Sequence, residues 1–436
     1  MGHSSYMLMT MAQAIEVIQA NDSLAVPLGP GVPGGFLHAL GERDDFTDLR
    51  VFGALLPDLY QLFVRKGVHY SSGFFGPAER FLSDSGASID FVPADFRRFT
   101  PVLHHLAPRV MATAASMPVE GWVSLSLHAG ASIDELHAAG ADPSRVLLVE
   151  VSPHFPRTFG IEPEHPHRLH IDEIDVLVET DRVPFTLNEA PPTAAEIAIA
   201  EFAAHYVHDG CTLQTGIGGI PNQVAKMLAE GPYGDFGVHS EMFTTGLMAL
   251  HKAGKVTNRK GGAFDGFSIT TFAAGQPELY EWLNGNRMVR FLPVKIVNSP
   301  ELIARNRYML TLNGALAIDL AGQVVADTIG GKQFSGIGGH EDFVSGPSLS
   351  ADGRSLICMQ STSTINGALV NRVVAQLPAG SVVSTPRHQV DVVITEYGVA
   401  ELQGRTIRER ANALAQIAHP QFRDELKASA KTWPQD

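Results

Sequence analysis

Short apolar runs alternate with stretches of helical periodicity along the chain. Leu24-Ala-Val-Pro-Leu28 leads through a glycine-rich turn into Phe36-Leu-His-Ala-Leu40, which reads as strand, turn and helix. Val51–Leu56, Trp122–Leu127, Val146–Val151 and Ile174–Glu179 repeat the strand pattern in the first half, with helices expected over Ala12–Ala20 and Ile133–Ala139. In the second half the strand candidates are Phe291–Val297, Tyr308–Leu312, Leu356–Gln360, Ser381–Ser384 and Asp391–Thr395. Glu401–His419 reads as a helix with one charged, solvated side. Alternating strands and helices predict an α/β fold with mainly parallel sheets.

A second strand–glycine–helix unit, Thr212-Leu-Gln-Thr-Gly-Ile-Gly-Gly-Ile-Pro-Asn222, lies about half a chain after the first and echoes it loosely. Its strand runs to Thr215, and Pro221 is expected to open its helix. Between the two halves, Pro184–Thr193 reads as a proline-marked linker. The expected division is an N-terminal domain over 1–183, the linker over 184–193 and a C-terminal domain over 194–436. Thr193 is placed to cap a helix over Ala194–Tyr206.

Composition narrows the function classes. The 436 residues are ample for two domains, and 44% apolar with 18% charged residues is a globular balance. A net charge of −14 argues against a general nucleic-acid surface. No apolar run approaches a membrane span, and Met1–Thr10 has no basic stretch leading into an apolar core, so a cytoplasmic protein is expected. Cys211 and Cys358 sit in apolar runs and read as reduced core residues. The 18 histidines, including His104-His105 and those within His165–His170, complete no recognisable zinc spacing; loop histidines and no metal are expected.

The chemistry points to the second glycine unit. Gly216, Gly218 and Gly219 let a ligand approach the backbone, and the amides at the start of the following helix favour an anion or a developing oxyanion. Such turns also occur purely for packing, so the unit gains weight only from its context. That context is a series of motifs in one order: Gly216–Asn222, His239-Ser-Glu-Met-Phe243, Asp319-Leu-Ala-Gly-Gln-Val324, Ser335-Gly-Ile-Gly-Gly-His-Glu-Asp-Phe343, Thr395-Glu-Tyr-Gly-Val-Ala-Glu-Leu402, Arg408-Glu-Arg-Ala411 and Ile417-Ala-His-Pro-Gln-Phe422.

Together these motifs resemble the acetyl-CoA hydrolase/transferase family, the single-chain class I CoA-transferases that include 4-hydroxybutyrate and acetate CoA-transferases. The resemblance is dense from about Ala194 to Leu426 and looser in the first half, at Ser116–Leu125 and Ile171–Asp175. It implies two similar open α/β domains of CoA-transferase (NagB-like) type, with the active site at their interface. It further implies that backbone amides of Gly216, Ile217, Gly218, Gly219 and Ile220, and of the loop holding Gly336, Gly338 and Gly339, lie along CoA and the thioester oxygen. Arg354 stands where the family usually carries a lysine beside CoA. Bound acyl-CoA, a small carboxylic acid as a second substrate, and a homodimer or larger assembly are implied; a metal, nucleic acid or membrane partner is not.

Transfer by this family needs a glutamate that captures CoA as a thioester. The resemblance places it in Asn313-Gly-Ala-Leu-Ala-Ile-Asp-Leu320, where Ala317 stands. A methyl group cannot form a thioester, and His340-Glu341 follow the Gly338-Gly339 pair where a neutral pair is usual. The expectation is therefore hydrolysis or cleavage of an acyl-CoA by a general base, Glu341 or His340, only one of which faces substrate on an extended segment. The alternatives are a carboxylate CoA-transferase carrying a Glu→Ala change, and an acyl-CoA binder without turnover. Glu241, in His239-Ser-Glu-Met-Phe243, is the other carboxylate expected near the chemistry, with a structural ion pair as its plain reading.

Overall fold

The computed structural model describes residues 7–259 and 261–431. Met1–Tyr6, part of the N-terminal stretch read above, lie outside the described residues. The chain forms two compact units. One holds the residues up to Leu187 together with Ile269–Val297; the other holds Asn188–Ser268 and the chain from Asn298 onward. The first unit is thus discontinuous, whereas the sequence suggested one uninterrupted domain from 194 onward. The inserted segment is tied to the first unit by its own bonds: Leu187 N–H donates to Gly275 O at 3.0 Å and Tyr280 Oη to Phe185 O at 2.7 Å. Its helix Pro277–Leu283 buries Leu279, Tyr280 and Leu283.

Eight parallel strands make the first unit's sheet. They are β1 (Met7–Leu8), β2 (Asn21–Leu28), β3 (Asp48–Ala54), β4 (Val68–Ser72), β5 (Ile89–Phe91), β6 (Val110–Ser116), β7 (Val146–Ser152) and β8 (Val176–Glu179), in the order β1-β8-β7-β6-β2-β3-β4-β5. The central strands are near-continuous apolar runs, as a sheet covered on both faces requires; all seven residues of β6 are buried. Leu24, Val26, Val51, Tyr70, Val110 and Leu148 of these strands pack with Phe36 and Leu37 of helix α1 (Gly34–Leu40). Each such side chain contributes about 1.5–3 kcal/mol when fully buried.

The glycine turn of this unit is closed from within. Glu150, at the end of β7 and 3% exposed, accepts from Gly35 N–H at 3.2 Å and Phe36 N–H at 2.8 Å at the start of α1, and from Thr180 Oγ1 at 3.0 Å. The anion that a helix N-terminus favours is here the protein's own carboxylate. A side chain on Gly35 would strike Glu150 Oε1. The echo between the two glycine units is therefore one of architecture, not of ligand binding.

The second unit carries β9 (Thr212–Gln214), β10 (Gly237–Val238), β11 (Met309–Gly314), β12 (Arg354–Cys358), β13 (Val392–Thr395) and β14 (Gly398–Glu401) in the order β10-β9-β11-β12-β13-β14. All neighbours are parallel except β13 and β14, an antiparallel hairpin. Helix α2 (Ala194–Ala204) opens the unit, and Thr193 caps it as expected: Glu196 N–H donates to Thr193 Oγ1, and the Glu196 carboxylate accepts from Thr193 N–H. Leu414 and Ala411 of helix α5 (Ile407–Ile417) pack on Ile357 and Val393 of the sheet, with α3 (Gly219–Glu230) and α4 (His340–Leu349) between α2 and α5 in the chain.

Some expected elements differ. Phe291–Val297 is not one strand: a strand ends at Phe291 and Val294–Val297 is helical. Pro293 lies at the junction; its carbonyl accepts from the N–H of Ile296 and of Val297, so the apolar run turns into a helical coil. Ser381–Ser384 forms no strand, and Val382 and Val383 are exposed. The strand at Trp122 stops at Ser124, the first helix spans only Met11–Ile15, and Glu401 belongs to β14 with α5 starting at Ile407. His167 lies in a loop, as expected, but is buried there; its Nε2 lies 3.0 Å from Thr158 Oγ1 and from Ser126 O. Cys211 and Cys358 are buried thiols. No described helix is long and apolar enough to cross a membrane.

Candidate active site

In an open parallel sheet the carboxyl ends of the strands are where backbone turns and helix starts meet. In the second unit β9 ends at Gln214 and passes through Thr215–Gly218 into α3, with Gly218 at φ +114°, a conformation that favours glycine. Gly216 and Gly218 face open space where a side chain would stand. Gly219 does not: a Cβ there would meet the Glu196 carboxyl at 2.5 Å, so this glycine serves the packing of α3 on α2. Pro221 is the third residue of α3 rather than the first, still within the turn whose amides have no intrahelical partner. Ile217 is 52% exposed, and Ile220 is part-buried in the first turn of α3.

The neighbouring strand β10 ends at Val238 and delivers His239-Ser240-Glu241. The first two side chains are buried and face inward. The Asn306 amide lies 2.7 Å from His239 Nδ1. Ser240 Oγ accepts from Thr215 N–H at 3.4 Å and lies 2.8 Å from Met242 O, which joins this turn to the glycine turn. Glu241 joins a different set of partners. Asn298 Nδ2 donates to Glu241 Oε2 at 2.6 Å and to Asp342 Oδ2 at 2.9 Å, gathering three polar side chains at the start of α4.

Gly339 caps α4, and only a glycine fits. A Cβ at this position would collide with Glu241 Oε2 and with Asn298 Nδ2. The Glu241 carboxylate therefore abuts a helix N-terminus, where amides and dipole favour negative charge. Part of the side chain reaches the surface, yet protein crowds it closely enough that burial pushes its pKa up to about 7, the Asn298 hydrogen bond acting in the opposite sense. Gly338, at φ +54°, turns the chain into this helix, two residues after Gly336. Two more groups at these strand ends, Gln214 Oε1 and Asn313 Nδ2, are buried without a hydrogen-bond partner.

His340 and Glu341 begin α4 instead of lying on an extended segment, so both reach one residue. Thr385 Oγ1 lies 2.8 Å from His340 Nε2 and donates to Glu341 Oε1 at 2.5 Å. Burial pushes the His340 pKa down to about 4 against the opposing pull of Asp327, so the ring stays neutral near pH 7.

Two expected site residues stand apart. Ala317 begins a three-residue strand in a small separate sheet, opposite Val325. Arg354 opens β12, at the amino ends of the strands, while Glu241 and the glycine turn occupy the carboxyl ends. Its guanidinium forms two bonds to Asp391, Nε to Oδ2 at 2.9 Å and Nη2 to Oδ1 at 3.2 Å, a structural pair. Asn298, Asp342 and Thr385 escaped sequence reasoning. Asp342 lay within a motif already singled out, but nothing local marks Asn298, 57 residues after Glu241, as its partner. Among the described residues no cluster of histidine, cysteine and carboxylate has the make-up of a metal site.

The sequence matches the acetyl-CoA hydrolase/transferase C-terminal domain over residues 275–430. It is 34% identical over 424 residues to a succinyl-CoA:cyclohexane-1-carboxylate CoA transferase of Geobacter metallireducens, covering 96% of this chain and 94% of the relative. It is 34% identical to a 4-hydroxybutyrate coenzyme A transferase of Clostridium kluyveri, with 96% of each chain covered. The crystal structure of RipA from Yersinia pestis superposes with a TM-score of 0.88 at 31% identity, covering 98% of this chain and 97% of that one. Similarity of this depth along nearly the whole length, on the α/β architecture described, makes the protein an acyl-CoA-processing enzyme that belongs to the acetyl-CoA hydrolase/transferase family.

Proposed function

We propose that this enzyme is a carboxylate CoA-transferase with Glu241 as its nucleophile, exchanging CoA between an acyl-CoA and a small carboxylic acid. One observation carries the reading: a carboxylate held through one oxygen by Asn298 at 2.6 Å, set against the N-terminus of α4, with its pKa pushed up to about 7. A carboxylate of ordinary acidity in water is a weak nucleophile; one poised near neutrality and stripped of part of its hydration is a stronger one.

The steps balance without a further reagent. A Glu241 carboxylate oxygen attacks the thioester carbon, the carbonyl electrons move to oxygen, and the C–S bond breaks to give an acyl–glutamyl anhydride and CoA thiolate. The thiolate then attacks the glutamyl carbon and expels the first acid as its carboxylate, leaving a glutamyl–CoA thioester. The acceptor carboxylate repeats both steps in reverse and regenerates Glu241. Backbone amides at Gly338–Gly339 and in the Gly216–Ile220 turn suit the oxyanion, each donor of this kind being worth about 2.7–4 kcal/mol.

This reading replaces the expected general-base route. His340 and Glu341 both engage Thr385, and a histidine whose pKa is near 4 gives little driving force for taking a proton at pH 7. It also removes the need for a nucleophile at Ala317. The test is acyl exchange between acyl-CoAs and added acids, with Glu241→Gln beside the wild type. Exchange that depends on the acid and drops about 10⁴-fold or more in the variant supports the reading. Thiol release without any acid, undiminished in Glu241→Gln, contradicts it.

A further inference from the structure

The residue that holds Glu241 is itself held. Asn298 is fully buried, and its Nδ2 serves Glu241 Oε2 and Asp342 Oδ2 together. An amide nitrogen has two hydrogens, so each carboxylate takes one. Asn298 Oδ1 has no hydrogen-bond partner, and turning the amide over would set that acceptor against two others. Asp342, at the third position of α4 and 0% exposed, is rigidly placed by the helix.

We propose that Asp342 is a positioning residue for the transfer reaction: by taking one hydrogen of the Asn298 amide it fixes the other on Glu241 Oε2 and so holds the carboxylate in its attacking position. The inference rests on Glu241 being the nucleophile. It explains why a second carboxylate is kept buried so near the first, a placement that costs stability unless it serves the geometry. The other titratable groups nearby are already engaged: His340 and Glu341 of α4 with Thr385, and His239, two residues before Glu241, with Asn306.

The test compares Asp342→Asn, Asp342→Glu and Glu241→Gln in the full-length enzyme by steady-state kinetics across pH, thermal unfolding and mass-spectrometric trapping of the protein–CoA adduct. Asp342→Asn keeps the shape but replaces one acceptor oxygen by a donor and weakens the remaining one, so the Asn298 hydrogen is held less firmly. A fall in kcat of about 10–100-fold is expected, with the KM for acyl-CoA within about threefold. The acid limb of kcat/KM moves upward by about half a unit or more, because the loosened Asn298 bond no longer lowers the Glu241 pKa. Asp342→Glu, which retains an acceptor, recovers part of kcat. Should Asp342→Asn not fold, Asp342→Glu carries the test alone, with a lowered kcat and a displaced limb expected. A normal kcat and an unmoved limb, with or without a lowered Tm, mean a merely structural aspartate and overturn the proposal. Turnover surviving in Glu241→Gln would instead defeat the assignment of the nucleophile, so the two failures are distinct.

Discussion

Gly339 and Glu241 stand so close that no side chain fits on the glycine without displacing the Glu241 carboxylate. The contact sets the carboxylate against the start of α4 and makes the glycine a requirement of the site as well as of the turn. Gly339→Ala is predicted to push Glu241 off its bond to Asn298 and to lower kcat by about 10²-fold, the scale expected for a misplacement of about 1 Å. Kinetics together with a crystal structure of the variant check this. Full activity despite a displaced Glu241 would show that its exact seat is unimportant, and an unmoved Glu241 would contradict the predicted displacement.

The nucleophile must be ionised. With its pKa pushed up to about 7, Glu241 is mostly protonated at pH 6 and mostly charged at pH 8. The kcat/KM of the transfer is therefore predicted to fall about tenfold per unit of pH below 7 and to level above it. A limb near pH 4.5, the ordinary glutamate range, would mean that Glu241 is not the titrating group that matters.

The same shift affects stability, with the opposite preference. A carboxyl whose pKa is higher in the folded state favours folding fully below its unfolded value of 4.5, and that contribution is lost as pH rises through about 7. Glu241→Gln removes the cost of a crowded charge. It is predicted to raise Tm above the wild type at pH 8 and to lose most of that advantage at pH 5. Each kcal/mol recovered corresponds to about 2–4 °C. Thermal scans of both proteins at the two pH values decide the point, and an equal difference at both would refute it.

His340 and Glu341 are predicted to be dispensable for chemistry. His340→Ala and Glu341→Gln should retain transfer within about tenfold, whereas loss of a general base removes about 10²–10⁴-fold. Thermal unfolding should show the larger effect in His340→Ala, which breaks the bond to Thr385, whereas Glu341→Gln keeps an oxygen that accepts from Thr385 Oγ1.

Arg354 offers a contrast between binding and structure. Arg354→Met leaves Asp391 without its two-bond partner and is predicted to cost about 1–3 kcal/mol in stability. The KM for acyl-CoA should be unchanged. A large rise in KM with normal stability would return the arginine to the ligand.

Much of the fold was legible because its signals are local. The apolar runs of β7 and β13, the glycine turns, and Thr193 with Glu196 three residues later each carry their cause within a few residues. Failures arose where one apolar pattern serves two conformations. Phe291–Val297 contains Pro293, which redirects it, and Val382-Val383 have strand character yet lie exposed outside any strand. The site was less legible. The glycine turn and Glu241 belong to motifs visible along the chain, but Asn298 and Asp342 acquire their meaning only from contacts spanning 57 and 44 residues. His340-Glu341 read as a possible base because adjacency says nothing of Thr385, 45 residues beyond His340.

The central claim is that CoA becomes covalently attached to Glu241. The most direct measurement is mass spectrometry of the enzyme incubated with an acyl-CoA and no acceptor acid, quenched in acid and digested. The account predicts a protein heavier by one CoA less water, the gain confined to the peptide containing Glu241 and absent from Glu241→Gln. An unmodified protein that still exchanges CoA between acids, or an adduct mapped to any other residue, would contradict it.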